Sequence, residues 1–106
     1  MTESRLETMR AMVAKSPTNA LARFGLANEA LKAQLYAEAA EHLRVYLSTH
    51  ADEGNGYGRL AEALIHLGQV DEARTALREG IDVSRRFGHP SMANEFEARL
   101  DELEGE

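Results

Sequence analysis

The sequence predicts an all-α fold in which about six helices form a stack of antiparallel pairs. Small and apolar residues recur at intervals of about 34 residues, and a period of this length that contains two helical segments is typical of helical hairpins that bury their apolar faces on one another. Between glycine and proline interruptions, apolar residues also recur at helical spacing. The pairs that carry the period are Leu26 with Leu60, Ala27 with Ala61, Ala39 with Ala73 and Leu43 with Leu77.

Three helices are predicted in the first half of the chain. Ser4 is followed three positions later by Glu7, the spacing of a capping box, which predicts a helix over residues 4–15. The next helix, over 19–33, is apolar on more than one side, as expected for a helix with neighbours on two faces. A third helix, over 36–49, carries a wide apolar stripe.

Three further helices are predicted in the second half. Residues 51–58 contain three glycines, so we expect a loop and a frayed helix start there. A helix over 55–67 follows, and Gly68 is placed to end it in the left-handed conformation. The last two helices are predicted over 70–86 and 90–104, and the final one is expected to act as an amphipathic lid on the stack.

Composition limits the class of protein. The 106 residues suit one domain of residues 1–106, and 43% of them are hydrophobic. No apolar run predicts a membrane span or a signal peptide, so we expect a cytoplasmic protein. Cysteine is absent from the sequence, which excludes disulfides and thiolate metal sites. The net charge of −6 comes from the second half of the chain and disfavours nucleic acid and anionic membranes as partners.

No catalytic constellation is evident, so the sequence predicts a protein that is not an enzyme and has no metal or cofactor site. The histidines are far apart and have no His or Asp partner at the i, i+4 spacing of a metalloprotease helix. The glycines of 51–58 are not followed by the Lys-Ser or Lys-Thr of a phosphate loop. The four histidines are His42, His50, His66 and His89.

Residues 20–87 resemble the tetratricopeptide repeat, and the plan of the chain is similar to small standalone bacterial proteins of this family. The first unit matches at Leu26, Ala27, Ala39, Leu43 and Tyr46, and the second matches at Tyr57, Leu60, Ala61, Gly68, Ala73 and Leu77. The sequence departs from the family pattern at Arg23, Ala51 and Gly80. The resemblance implies an N-terminal half-repeat helix at 4–15, repeats at 20–53 and 54–87, and a capping helix at 90–104.

The resemblance also implies a right-handed superhelix whose inner face, formed by the first helix of each repeat, binds a peptide or a protein surface. Carried over by position, the candidate binding residues are Phe24, Asn28, Leu31, Lys32, Arg59, Glu62, Ile65 and His66. An alternative is that Phe24 and Leu31 pack on the first helix instead. Some family members hold a carboxylate with a clamp of Lys and Asn, but Phe24 and Arg59 occupy two clamp positions here, so we do not expect chaperone-tail recognition.

Two functions therefore remain open from the sequence. The first is a non-catalytic interaction scaffold that binds a protein or peptide partner on its concave face. The alternative is a structural module that acts through self-association, as a homodimer formed through the first helix or the capping helix.

Overall fold

Six α-helices make up the regular structure of residues 2–105, which are the residues described by this computed structural model, and no strand occurs in that range. The predicted helices agree with the observed ones to within about two residues at each end. Because α1 begins at Thr2, Ser4 lies inside its first turn and is not its N-cap; the Ser4 side chain lies outside the described residues. The helices are α1 Thr2–Lys15, α2 Ala20–Lys32, α3 Tyr36–Thr49, α4 Asn55–His66, α5 Val70–Arg86 and α6 Pro90–Glu104.

The helices form two layers. Each helix packs mainly against its neighbours in sequence, and α2 also contacts α4. One layer contains α1, α3 and α5, and the other contains α2, α4 and α6. The molecule measures 39 × 28 × 20 Å, as expected when hairpins stack along one direction.

Small residues bring the two layers close together. Ala27, Ala39, Ala61 and Ala73, which the repeat period marks as helix contacts, are completely buried. Alanine lets two helix axes approach because it has no side chain beyond Cβ. Leu43, Leu64 and Leu77 fill the main core around them, and a separate small cluster lies beneath α1.

Three helices end in the same way. Gly68, predicted to be left-handed, has φ of 75° after α4, and Gly88 has φ of 76° after α5. The residue after each glycine donates its N–H to a carbonyl five positions earlier, the bond of a Schellman motif. Gln34 takes the corresponding place after α2 with φ of 62°, although it carries a side chain.

The loop expected within 51–58 occupies residues 51–54, and α4 begins at Asn55 as predicted. Gly56 and Gly58 lie inside α4. An added Cβ would come within 2.9 Å of Tyr46 at position 56 and within 2.6 Å of Phe96 at position 58. The glycines therefore serve close packing against other helices rather than interrupting α4.

The start of α4 is held by Asp52. Its Oδ1 accepts the backbone N–H groups of Gly54 and Gly56 at 2.7 and 2.9 Å, and its Oδ2 accepts the Tyr46 hydroxyl at 2.7 Å. Two N–H groups that lack a partner within the helix are thereby satisfied. None of the helices within residues 2–105 is long and apolar enough to cross a bilayer.

Candidate binding surface

A groove runs between α2 and α4 on the layer that the sequence marks as the inner face. Its volume is about 310 Å³. Five of the eight candidate residues predicted from the sequence line it: Asn28, Leu31, Lys32, Arg59 and Glu62. We call this surface the inner groove.

The cations of the inner groove are available to a ligand. Arg59 is exposed and has no ion pair among the described residues. Lys32 Nζ lies 3.7 Å from Glu29 Oε1, which already contacts Arg5 Nε at 2.8 Å. If Lys32 moved toward a ligand, Glu29 would keep the closer partner. The groove thus offers two positive charges, with the carboxylate of Glu62 beside them.

Asn28 adds a hydrogen-bond acceptor. Its Oδ1 is buried and accepts no hydrogen bond from the described residues. A buried amide oxygen without a donor is energetically unfavourable, by about 1 to 3 kcal/mol for a typical polar group, so rotation of the Asn28 amide toward a ligand N–H in the groove would be favoured. Leu31 lies beside Asn28 but is only 8% exposed, so it forms part of the groove floor rather than a protruding contact.

The other three candidate residues lie outside the inner groove. The Phe24 ring packs 4.8 Å from the Tyr46 ring of α3, and Ile65 packs on the main core. The exposed His66 stacks on Tyr36 with ring centroids 4.2 Å apart. Phe24 and Leu31 therefore join the main core and not the cluster beneath α1, which was the alternative partner considered for them.

Comparison with known proteins identifies the family. A family model described as "Tetratricopeptide repeat" matches residues 30–86, which is more than half of the chain. The chain belongs to the tetratricopeptide repeat family. The TPR repeat-containing protein PA0015 of Pseudomonas aeruginosa (strain PAO1) is 30% identical over 99 residues, covering 93% of this chain and 94% of that protein.

Solved structures agree on the tetratricopeptide fold. The chain superposes on "Crystal structure of MamA" with a TM-score of 0.73 at 16% identity, covering 96% of this chain and 68% of that one. For "MamA MSR-1 C2" the TM-score is 0.71 at 19% identity, with coverage of 98% and 68%. The predicted all-α repeat fold is confirmed. Tetratricopeptide proteins are protein-interaction scaffolds and are typically non-catalytic.

The tetratricopeptide period also appears in ion pairs that sequence reasoning missed. Arg10 Nη2 contacts Glu38 Oε1 at 2.7 Å, and Arg44 Nη2, one repeat later, contacts Glu72 Oε2 at 2.7 Å. These pairs link α1 to α3 and α3 to α5. The recurrence of both arginines and both glutamates at the repeat spacing was the signal that could have revealed them.

A polar network joins the first three helices of this tetratricopeptide stack. Arg23 Nη1 lies 3.2 Å from His42 Nδ1, and His42 Nε2 lies 3.8 Å from Glu38 Oε2. Burial, followed by the positive charge of Arg23, lowers the pKa of His42. The hydrogen bond from Arg10 lowers the pKa of Glu38. Neutral His42 can accept the Arg23 hydrogen bond through Nδ1.

Two further cavities lie outside the inner groove. Met9, Met12, Leu21 and Ala22 line a cavity of about 350 Å³ at the edge formed by α1 and α2. A larger cavity of about 380 Å³ lies between α3, α4 and α5, on the side of the stack formed by α3 and α5. Within the described residues, no group of three or more His, Asp or Glu side chains is arranged to hold a metal ion.

Proposed function

We propose that this protein is a non-catalytic scaffold that binds an extended peptide segment or protein surface in the inner groove. The observation that carries the proposal is the convergence of unpaired Arg59, weakly paired Lys32 and the unpartnered Asn28 Oδ1 in one cavity. An acidic side chain of the partner pairs with Arg59 or Lys32, and a partner backbone N–H donates to Asn28. Glu62 favours a basic residue of the partner beside this acidic side chain.

The division into repeats follows the same proposal. We assign residues 20–53 and 54–87 to two full repeats, which places α2 and α4 as the first helices that line the inner face. The helix within 4–15 and the helix at 90–104 flank them as a half-repeat and a cap. The contact between α2 and α4 supports this arrangement.

A charge-reversal experiment tests the inner groove. The chain and its Lys32→Glu, Arg59→Glu double variant are used to capture partners from a lysate of the source organism. The matched control is Lys15→Glu, Arg86→Glu, which makes the same change in net charge on exposed residues outside the groove. We expect the groove variant alone to lose a partner while its helical circular dichroism is unchanged. Equal capture by both variants, or equal loss, would contradict the proposal.

Self-association is the second candidate function, and the apolar edge of α1 and α2 favours it. Leu21 is 76% exposed and Met12 is 52% exposed, and both line the same cavity. Adjacent exposed apolar side chains are typical of an interaction surface. The outer face of α6, in contrast, carries Glu95, Arg99 and Glu102. A dimer through the α1 edge is therefore better supported than one through the cap.

Sedimentation velocity over a range of concentrations tests this alternative. A dimer through the α1 edge should dissociate on dilution, and Leu21→Lys should shift it to monomer. Leu21 is mostly exposed, so the substitution should not disturb the core. A sedimentation coefficient that stays at the monomer value at all concentrations would exclude the dimer, and a dimer unaffected by Leu21→Lys would place its interface elsewhere.

A further inference from the structure

A second groove, lined by α3, α4 and α5, lies on the side opposite the inner groove. We call it the outer groove. Leucine side chains of α3 and α4 together with Ala76 of α5 form its floor, and Tyr57 and Glu79 stand at its edge. Its volume of about 380 Å³ lies at the lower end of the range for ligand pockets, about 300 to 1,000 Å³. The floor residues are Leu47, Leu60, Leu64 and Ala76.

The outer groove is not a general consequence of the repeat. Its counterpart one repeat earlier would lie between α1, α2 and α3, where Arg23 replaces Tyr57 and His42 replaces Ala76. Arg23 and His42 contact each other at 3.2 Å and occupy that position. Ala76 has no side chain beyond Cβ. The space that the His42 ring fills between α1, α2 and α3 is therefore open in the outer groove. The groove is therefore particular to this part of the chain.

The edge of the groove carries negative charge without a counter-ion. Glu79 is exposed and has no ion pair among the described residues. Arg44, also at the edge, is held by Glu72 at 2.7 Å. The arginines of α5, which are the nearest other cations in sequence, each contact an acid already: Arg74 contacts Asp71, Arg78 contacts Glu104, Arg85 contacts Glu97 and Arg86 contacts Asp82.

The carboxylate of Glu79 also changes the pKa of a side chain that lines the outer groove. Burial, followed by the negative charge of Glu79, raises the pKa of the Tyr57 hydroxyl. Glu79 thus lies close enough to the groove to act on a group that lines it. Arg86, which contacts Asp82, has the opposite and smaller effect on this pKa.

We propose that the outer groove is a second binding site, for a peptide segment in which a bulky apolar side chain lies close in sequence to a Lys or Arg. The apolar side chain lies on the leucine floor, and the cation pairs with Glu79. An aromatic or branched anchor in a concave apolar pocket, with a charge at the rim, is the usual arrangement of a strong contact at an interface. This site is independent of the inner groove and prefers the opposite charge at its edge.

Selection from a displayed library of random dodecapeptides, with the full chain as the target, tests the proposal. Enriched peptides are synthesised, and their affinities are measured for the chain and three variants. Ala76→His places in the groove the residue found one repeat earlier, and Glu79→Gln removes the charge at an exposed position, where we expect little effect on stability. The Lys32→Glu, Arg59→Glu variant separates peptides that bind the inner groove.

We expect a set of enriched peptides that share a large apolar residue close in sequence to a Lys or Arg. Ala76→His should abolish their binding, Glu79→Gln should weaken it by roughly threefold, and the inner-groove variant should leave it unchanged. If no enriched peptide responds to Glu79→Gln or to Ala76→His, the proposal is wrong. Selection of acidic peptides for this groove would overturn it as well. Should Ala76→His unfold, the Glu79→Gln comparison still decides the outcome.

Discussion

Phe96 of α6 packs where α4 has no side chain, because a Cβ on Gly58 would lie 2.6 Å from Phe96 Cε1. Gly80 of α5 borders the same ring, and a Cβ there would lie 3.0 Å from Phe96 Cδ2. The ring therefore occupies a slot between two helices, each of which contributes a glycine. This contact attaches the last helix to both α4 and α5.

Replacing Gly58 with alanine should destabilise the protein despite the better helix propensity of alanine. The propensity gain is about 1 kcal/mol, whereas overpacking in a core costs about 1 to 3 kcal/mol. We expect a net loss of roughly 1 kcal/mol in the free energy of unfolding, measured by urea denaturation. In a Phe96→Ala background the slot is empty, so the same substitution should become stabilising. A Gly58→Ala effect with the same sign in both backgrounds would contradict the packing argument.

The packing of Phe96 against Gly58 could not be predicted from the sequence. The periodicity of apolar residues located all six helices, because that signal depends only on which residues face the core. A glycine, however, has the same local effect whether it breaks a helix or admits a neighbour. Gly58 could be assigned to packing only once Phe96, which lies two helices further along the chain, was known to contact it.

Helix ends give a second prediction, at Gln34. Its φ of 62° lies in the left-handed region, where a residue with Cβ costs roughly 1 to 2 kcal/mol relative to glycine. Glycine loses more backbone entropy on folding, so Gln34→Gly should stabilise by about 0.5 to 1 kcal/mol. The matched substitution Gly68→Gln, at the equivalent position of the next repeat, should destabilise by a similar amount. If both substitutions shifted the melting temperature in the same direction, positions 34 and 68 would not be equivalent.

The candidate site was predictable only in part. Position within the repeat places Lys32 and Arg59 on facing helices, and the structure brings them to one cavity. The weak pairing of Lys32 was not predictable. Its partner Glu29 contacts Arg5 more closely, and Arg5 belongs to a different helix. The outer groove was missed for a similar reason: it depends on the small size of Ala76 at a place where His42 fills the equivalent space.

The repeated ion pairs give a third prediction. Arg44 and Glu72 are 47% and 57% exposed, and exposed pairs of this kind contribute about 0 to 1 kcal/mol. A double-mutant cycle of Arg44→Met and Glu72→Gln should give a coupling of about 0.5 kcal/mol at low salt, decreasing in concentrated NaCl as the charges are screened. A coupling that is independent of salt would show that the contact acts through packing of the arginine stem instead.

The fourth prediction concerns His42, which burial and Arg23 keep neutral in the folded state. Its folded pKa is below the ordinary value of 6.5, so the unfolded chain binds the proton more readily. The stabilising contribution is complete above pH 6.5 and is lost as the pH falls through the folded pKa. Glu38 and Glu41 oppose this effect by favouring the charged ring, but burial and Arg23 outweigh them.

Urea denaturation between about pH 7.5 and pH 5 measures this dependence. His42→Gln keeps a side-chain oxygen that can accept from Arg23 but does not titrate, so its stability should vary less with pH over this range. The difference between the two proteins isolates His42, since His50, His66 and His89 are present in both. A wild-type stability that increases on acidification relative to His42→Gln would mean that the ring is protonated in the fold, with Glu38 rather than Arg23 as its dominant neighbour.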